Sequence, residues 1–297
     1  MTSKGVEDTF TLFNGQRIAY KKWGDPKKPP LLAMHGWLDN LATFEGTAPL
    51  FAEHYHLVAI DLPGHGHSDP APPGYLHLLD TVGIVYQLLE GFGWQYTAIM
   101  GHSLGAAIGC LVAGAFPDRI SALCLVDALG PYTSPGLFTA HHVGKVINDY
   151  CHLGQKKPPE YNTIEEAVKV RLKVTPMSPA GARALVERGL KKEGNVYRWR
   201  TDQRLTIPPL GMLSEEQLES FLTQITAKAC LIRPEGGWPF GEPLFRSRSA
   251  CFKQLTVHRL PGNHHVHVDD PEKTAEIFLP FLMETLAQHQ QARKNGH

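Results

Sequence analysis

The sequence lacks an excess of charge of either sign. Its 297 residues include 29 basic and 29 acidic side chains, which gives a formal net charge of zero, and no basic block stands out. Proteins that bind nucleic acid or anionic membrane surfaces usually present clustered positive charge. We therefore expect neither nucleic acid nor a membrane as a partner.

Long hydrophobic runs and paired cysteines are also missing. No apolar stretch approaches the roughly 20 residues that span a bilayer. The first ten residues, MTSKGVEDTF, lack the apolar core of a secretory signal. The cysteines number five, an odd count, and Cys110, Cys124 and Cys230 fall in apolar stretches where a thiol acts as a small hydrophobe. We expect all five to be reduced and the protein to be cytoplasmic.

Short apolar runs alternate with helical patterns along most of the chain. Asn14-Gly15 joins two alternating runs, which is typical of a tight β-hairpin. Later runs have a few bulky apolar residues followed by a small or polar one, as in PPLLAMHG, YHLVAIDLPG, YTAIMGHS and SALCLVDALG. Such runs are typical of strands buried on both faces of a parallel sheet. The alternation predicts a doubly wound α/β core.

The pattern changes between about Thr133 and Ile225, where helical signals dominate and strand signals vanish. Capping-box patterns at Thr163–Glu166 and Ser214–Gln217 predict two helix starts. Ser178 followed by Pro179 predicts a third, with an N-cap and a proline in the first helical position. We therefore predict a core of residues 1–130 and 227–297, with a helical cap of residues 131–226 inserted after the sixth strand. The last helix is predicted from about Pro271 to Gln288, and the polar tail is expected to fray.

The strongest motif is GHSLG, a G-x-S-x-G pattern centred on Ser103. It follows an apolar run and opens a helix of small residues, which is the context in which such a serine is a nucleophile. The alternative is a chance match in a glycine-rich turn. The N–H group of Leu104 would form one half of an oxyanion hole. The N–H group of Trp37, in the loop MHGWLDN, would form the other half, although the indole ring itself can simply cover the core.

Several motifs together resemble a known family. HGWLDN, DLPGHGHSD, GHSLG and GNHHVH resemble the α/β-hydrolase superfamily, over about residues 9–286. HGWLDN, LVDALGP, LVERGL, WRTDQRL and GNHHVH further resemble its serine hydrolase-like (Kraken-type) branch. The resemblance implies an α/β-hydrolase fold, with a mostly parallel eight-stranded sheet, helices on both faces and a helical cap. It also implies hydrolysis of esters or related acyl compounds without a cofactor.

A serine nucleophile needs a base, and the base needs an orienting carboxylate. In the superfamily the acid usually follows the seventh strand, but here Gly237 stands where the aspartate is most often found. Asp127, at the end of the sixth strand, is our preferred acid, and Glu235 is the alternative. Asp127 could instead be a structural aspartate at the connection to the cap.

The loop GNHH carries the histidine that the resemblance implies as base. Counting back from Pro271, at the start of the last helix, selects His264, whereas counting forward from Pro261 allows His265. We favour His264 because a helix start is fixed more tightly than a loop length. In the loop DLPGHGHSD, we expect Asp61 to bond to the backbone, and His65 and His67 to stabilise the loop or face solvent.

The same histidine-rich stretch raises the alternative of a metal site. His265-x-His267-x-Asp269 resembles part of the H-x-H-x-D-H signature of binuclear metallohydrolases, but Asp270 replaces the final histidine. That signature also follows an early strand of a β-rich sandwich, and not a late strand of an α/β chain. We see no other histidine group with ligand spacing. We therefore expect no metal and no cofactor.

The predicted activity is hydrolysis of a carboxylic (or thio)ester with a small, mainly apolar acyl group, as in carboxylesterases. A serine at position 103, where relatives such as haloalkane dehalogenases and epoxide hydrolases carry aspartate, disfavours their chemistry. Candidates for the acyl pocket are Trp37, Leu129, Tyr132 and Phe138, each of which could instead pack within the cap. Two alternatives remain: C–C or C–N bond hydrolysis or a lyase reaction on the same triad, and a slow-turnover ligand receptor. The partner is a small-molecule ester, and the chain is expected to be a monomer or a homodimer.

Overall fold

The computed structural model describes residues 4–74, 76–133, 139–155 and 157–295. The strands, in chain order, are β1 (Val6–Thr11), β2 (Arg17–Trp23), β3 (Pro30–Met34), β4 (His56–Ile60), β5 (Thr97–His102), β6 (Ile120–Val126), β7 (Glu160–Tyr161), β8 (Leu190–Glu193), β9 (Val196–Trp199), β10 (Lys228–Gly236) and β11 (Leu255–Asn263). The helices are α1 (Ala48–Phe51), α2 (Leu78–Gly91), α3 (Leu104–Ala115), α4 (Ala140–Cys151), α5 (Ile164–Val174), α6 (Pro179–Gly189), α7 (Glu215–Leu222), α8 (Glu242–Cys251), α9 (Val266–Asp269) and α10 (Pro271–Asn295).

Eight strands form the central sheet in the order β1-β2-β4-β3-β5-β6-β10-β11. The pairs β1–β2 and β2–β4 are antiparallel, and the other pairs are parallel. The predicted hairpin is confirmed: Gly15 has a φ of +83°, a conformation that glycine adopts at little cost. The carboxyl ends of β3, β5, β6, β10 and β11 meet at one edge, so residues that follow them in the chain become neighbours.

Two apolar clusters cover the two faces of the sheet. Along β3, Leu32 and Met34 contribute to one cluster, whereas Leu31 and Ala33 contribute to the other. This alternation is the period-two pattern of a strand buried on both sides. Helix α3 lies very close to β3, because a Cβ atom on Gly105 would be 2.0 Å from the carbonyl oxygen of Met34. The small residues after Ser103 therefore allow the helix to start directly against the sheet.

Between β6 and β10 the chain forms α4 to α7 and a separate three-stranded sheet, ordered β7-β9-β8. The predicted N-caps at Thr163, Ser178 and Ser214 are confirmed, since each side chain accepts a hydrogen bond from the first turn of its helix. The prediction that strand signals vanish here is wrong. The three strands have two to four residues each and carry charged side chains in LKKE and VYRW, so they lack the apolar runs that mark the core strands. Helix α7 differs from the others, because its Leu218 and Leu222 pack in the core cluster that contains Leu32 and Met34, which we call the main apolar cluster.

The C-terminal region contains one helix that begins where predicted and ends later. Helix α10 starts at Pro271 but extends to Asn295, so the expected frayed tail is wrong over residues 288–295. Alanine, glutamine, lysine and arginine in this stretch favour a helix, and no breaker precedes Gly296. Across the described residues, no helix combines the length and the apolarity that crossing a bilayer requires.

Candidate active site

Ser103 lies at the turn between β5 and α3. Its φ and ψ are +50° and −111°, which non-glycine residues rarely adopt, and its N–H group donates to the carbonyl oxygen of Val126 at 2.9 Å. Gly101 and Gly105 make the turn possible, because a Cβ atom on Gly101 would be 2.4 Å from the backbone nitrogen of Ala106. The turn thus places a half-buried serine at the N-terminus of α3.

Asp127 and His264 are brought together at the same edge of the sheet. His264 Nδ1 lies 2.5 Å from Asp127 Oδ2, and these side chains are 16% and 4% exposed. Asp127 follows β6 directly and has a φ of +56°, and its carboxylate also accepts a 2.7 Å hydrogen bond from the N–H group of Trp238. Because β5 and β6 are neighbours, Ser103 and Asp127 occupy adjacent strand ends.

Gly237 explains why the chain departs from the common position of the acid. A Cβ atom on this glycine would lie 2.5 Å and 2.6 Å from the two carboxylate oxygens of Asp127. The carboxylate therefore occupies the space that a side chain at position 237 would need. Glu235 is exposed near the end of β10, and the carboxylate that contacts His264 is that of Asp127.

His265 points to a different carboxylate. Its Nε2 atom lies 2.9 Å from Asp39 Oδ2, and both side chains are almost completely buried. Asp39 also pairs with the guanidinium group of Arg171, from α5. Burial alone would raise the pKa of Asp39, but His265, His102 and Arg171 hold it well below its usual range. The consecutive residues His264 and His265 therefore pair with different aspartates, Asp127 and Asp39.

The loop that contains Trp37 is fastened at several points. The N–H group of Leu38, whose φ is +60°, donates to His65 Nε2 at 3.2 Å, and His65 Nδ1 donates to the Pro63 carbonyl at 2.9 Å. Burial lowers the pKa of His65 to about 3, which keeps this ring neutral and able to accept from Leu38. The role of His65 as a loop-stabilising residue is thus confirmed. These bonds fix the backbone of the loop that carries Trp37.

Asp61 links the same region to the segment between β6 and β10. Its two oxygens accept hydrogen bonds of 2.8 Å from the N–H groups of Leu41 and His67, as the sequence predicts for a structural aspartate. Arg188, on α6, donates three further hydrogen bonds of 2.8 to 3.2 Å to Asp61 and one to Glu7. This buried pair anchors α6 to the central sheet.

Trp238 lies beside His264 with Tyr132 next to it, and Trp37 is a third exposed aromatic residue, on the loop after β3. Trp37, Tyr132 and Trp238 are each more than half exposed, and the Trp238 ring lies 5.8 Å from His264 and 6.0 Å from Tyr132. Trp238 is not among the predicted pocket residues, although its place after the seventh strand of the sheet could have indicated it. Of the predicted residues, Leu129 is 1% exposed and packs in the main cluster, and Phe138 falls outside the described residues.

A cavity lies at the opposite edge of the sheet from Ser103. Its volume is about 570 Å³, and it is lined at the amino ends of β5, β6 and β10 by residues that include Arg119, Ser121 and Lys228. The functional residues of this fold class collect at the carboxyl ends of the strands, so we place the candidate site there and not in this cavity.

The comparisons with known proteins agree with this architecture. A family model with the description "alpha/beta hydrolase fold" matches residues 29–155. The chain is 31% identical to a "Probable serine hydrolase" of Drosophila melanogaster, over 90% of this chain and 85% of that protein. It is 29% identical to a "Serine hydrolase-like protein" of Danio rerio, over 88% and 83%. The crystal structure of a hypothetical protein from Pseudomonas aeruginosa PAO1 has a TM-score of 0.87 and 34% identity, covering 93% of this chain and 99% of that one.

Proposed function

The chain belongs to the α/β-hydrolase fold family, in its serine hydrolase-like branch, and we propose that it hydrolyses carboxylic (or thio)esters with a small, mainly apolar acyl group. The nucleophile is Ser103, the base His264 and the orienting acid Asp127. The single observation that carries the proposal is the 2.5 Å contact between His264 Nδ1 and Asp127 Oδ2, beside the strained turn that presents Ser103.

The contact with Asp127 gives each ring nitrogen of His264 a separate role. Nδ1 holds a proton that it donates to Asp127, so Nε2 is the nitrogen that accepts the Ser103 hydroxyl proton. Ser103 Oγ attacks the acyl carbonyl carbon, and the carbonyl oxygen becomes negatively charged. His264 then returns the proton to the departing alcohol or thiol, which leaves an acyl-enzyme. Water, deprotonated by His264, cleaves this acyl-enzyme, releases the carboxylic acid and restores Ser103.

Two backbone N–H groups are proposed to stabilise the oxyanion. Leu104 is the first residue of α3, where N–H groups have no acceptor within the helix. Trp37 lies on the loop that His65 fastens through Leu38. Removing one such donor typically raises the barrier by about 2.7–4 kcal/mol, so a rigid loop here matters for the rate.

The aromatic rim of Trp37, Tyr132 and Trp238 supports a mainly apolar acyl group. Burial and the nearby Asp127 carboxylate raise the pKa of Tyr132 to about 12, so its phenol is neutral at ordinary pH. The indole of Trp37 donates to the carbonyl oxygen of Leu205 at 2.9 Å, which holds its ring between the loop and the segment opposite. The rings of Tyr132 and Trp238 offer apolar surface next to His264, the proposed base, and the Trp37 ring is proposed to complete the rim.

A series of p-nitrophenyl esters, from acetate to longer acyl chains, tests the proposal with Ser103→Ala as the control. We expect turnover that depends on Ser103 and changes with chain length. Equal turnover by Ser103→Ala would contradict it. If a fluorophosphonate labels Ser103 while no ester in the series is turned over, a C–C or C–N bond hydrolase, a lyase or a slow-turnover receptor becomes the better description.

A further inference from the structure

Behind the proposed base lies a buried cluster of three side chains that converge from distant parts of the chain. Asp39 follows β3, His102 ends β5 and His265 precedes α9. Asp39 Oδ2 lies 2.9 Å from His265 Nε2 and 3.5 Å from His102 Nδ1, and the three atoms are within 4.8 Å of one another. Each of the three residues is at most 3% exposed.

One nitrogen of His102, Nδ1, can direct a lone pair into this cluster. His102 Nε2 lies 2.9 Å from the carbonyl oxygen of His264, which can only accept, so Nε2 carries a proton. A neutral imidazole carries one proton, so His102 Nδ1 then presents its lone pair toward the Asp39 carboxylate, 3.5 Å away. Two electron-pair donors face each other, which favours a cation between them.

His265 can supply a third lone pair. Its Nδ1 atom is buried and has no hydrogen-bond partner in the described part of the chain, so the ring can hold its proton there. Without a metal ion, Nε2 holds the proton that it donates to Asp39 Oδ2. A metal ion would displace that proton, so that the neutral ring keeps its one proton on Nδ1 and offers the Nε2 lone pair to the ion. Two imidazole nitrogens and one carboxylate oxygen form a ligand set typical of Zn²⁺ and similar transition metals, whereas Mg²⁺ and Ca²⁺ prefer oxygen alone.

We propose that this chain binds one divalent transition-metal ion, of the Zn²⁺ class, through Asp39 Oδ2, His102 Nδ1 and His265 Nε2. Metal–ligand distances of about 2.0–2.2 Å in a tetrahedral site correspond to ligand–ligand distances of about 3.3 Å. The observed 2.9 and 3.5 Å bracket that value, and the third pair, His102 Nδ1 and His265 Nε2, lies within 4.8 Å, so the three atoms are close enough to share one ion.

The surroundings of His102 match those of a metal ligand. Its far nitrogen is held by the backbone carbonyl of His264, as the second nitrogen of a metal-bound histidine usually is. Gly36 borders the same space. A Cβ atom there would be 2.8 Å from His102 Nδ1 and 3.0 Å from Asp39 Oδ2, so no side chain from this position fills the gap between them.

Arg171 also competes with the metal for the charge of Asp39. Among the described residues, its guanidinium group is the one cation paired with this carboxylate, apart from the neighbouring histidines. Replacing it with methionine keeps a long side chain over the cluster and removes the positive charge. Arg171→Met should therefore bind the metal more tightly than the original chain, by about tenfold or more.

Titration of the full chain with Co²⁺, followed by its visible absorption, tests the site directly, and calorimetry with Zn²⁺ gives the stoichiometry. We expect one equivalent with a four-coordinate spectrum. Affinity should fall at least tenfold in Asp39→Asn and in His265→Gln, and it should be unchanged in His54→Gln, which alters an exposed histidine. Thermal unfolding of each variant checks that it is folded.

Several results would overturn the proposal. These are no binding at 100 μM metal, a spectrum of octahedral hydrated Co²⁺ only, or equal affinity in the original chain, Asp39→Asn and His265→Gln. If either of those variants fails to fold, Arg171→Met still decides, since unchanged or weaker binding in that variant contradicts a site on Asp39.

One consequence rests on the proposed function. A metal held by His102 acts on the segment that carries His264, because His102 Nε2 contacts the His264 carbonyl. Zn²⁺ should therefore slow ester hydrolysis reversibly, and Arg171→Met should be inhibited at lower Zn²⁺ concentrations. Zn²⁺ binding without any effect on turnover would refute this consequence and leave the site intact. A chain that hydrolyses no ester would refute the proposed function, while the cobalt spectrum would still decide the metal site.

Discussion

At the scale of single residues, strained backbone conformations are concentrated at the candidate site. Among the described residues, Leu38, Ser103 and Asp127 are the non-glycine residues with positive φ. Such conformations cost of order 1–3 kcal/mol each and persist where the surroundings fix them, often at functional sites. Here they lie in the Trp37 loop, at the turn of the proposed nucleophile and at the proposed acid. The strain therefore supports the same three positions that the chemistry needs.

Asp127→Asn tests the acid with little disturbance of the backbone. Asparagine tolerates positive φ, so the turn should be kept, while the negative charge that orients His264 is lost. We expect kcat for a p-nitrophenyl ester to fall on the order of 10⁴-fold with KM changed little. Glu235→Gln is the matched control and should keep nearly full activity. The opposite result for the two variants would move the role of acid to Glu235.

Gly237 offers a sharper test of the same residue. In the double variant Asp127→Gly with Gly237→Asp, the carboxylate moves to the place where the superfamily most often has it, and glycine tolerates the positive φ at position 127. We expect the Gly237→Asp single variant to lose activity, because the new side chain displaces Asp127. Kinetics should show the double variant more active than either single variant. A double variant no better than Asp127→Gly would mean that position 237 cannot reach His264.

At the scale of elements, a buried arginine fastens α6 to the central sheet. Arg188→Met leaves the Asp61 carboxylate, which is 0% exposed, without its ion-pair partner. Removing one partner of a buried pair typically costs about 3–5 kcal/mol, so we expect a loss of this size in the free energy of unfolding, measured with urea. The control is Arg183→Met, on the same helix, which removes exposed pairs and should cost about 1 kcal/mol or less. Equal losses would show that the buried pair is no anchor.

Local sequence patterns predict the strands and the turn that carry the proposed nucleophile, but they do not predict the short strands between β6 and β10. The apolar runs of β3 to β6, the turn at Ser103 and the N-cap at Ser178 follow from neighbouring residues, and all appear as predicted. Strand β8 has four residues, two of which are exposed lysines. Its pairing with β9, and not its own sequence, therefore makes it a strand. The one-turn helix α9 is equally short and was not predicted.

At the scale of the whole molecule, the contacts hardest to predict join residues far apart in sequence. Asp39 and His265 are separated by 226 residues, and Asp39 lies in no metal-binding motif. Ligand spacing in the sequence points only to residues that are close in the chain, such as His265 and His267, which the structure directs to different partners. Only the topology of the sheet, which brings the ends of β3, β5 and β11 to one edge, places Asp39 beside these histidines.

The five free cysteines can report whether the whole molecule opens as one unit. Cys151 is exposed on α4, whereas Cys110 on one face of the sheet and Cys124 and Cys230 on the other are buried. Burial raises the pKa of Cys110 and of Cys230 to about 12, and that of Cys124 well above its usual value, so few reactive thiolates form. With a thiol reagent such as DTNB, we expect Cys151 to react fast and Cys251, which is partly buried, more slowly. The three buried thiols should then react together, at a rate that follows global unfolding.

Cys151→Ser provides the control, since it should remove the fast phase alone. The shared rate is expected because β6 and β10 are neighbouring strands and α3 packs directly on β5, so no buried thiol can be exposed without separating central elements. Mass spectrometry of partly labelled protein distinguishes the outcomes. If Cys110 is labelled before Cys124 and Cys230, the α3 face opens independently of the sheet, and the anchoring of Ser103 at the start of α3 is weaker than its packing indicates.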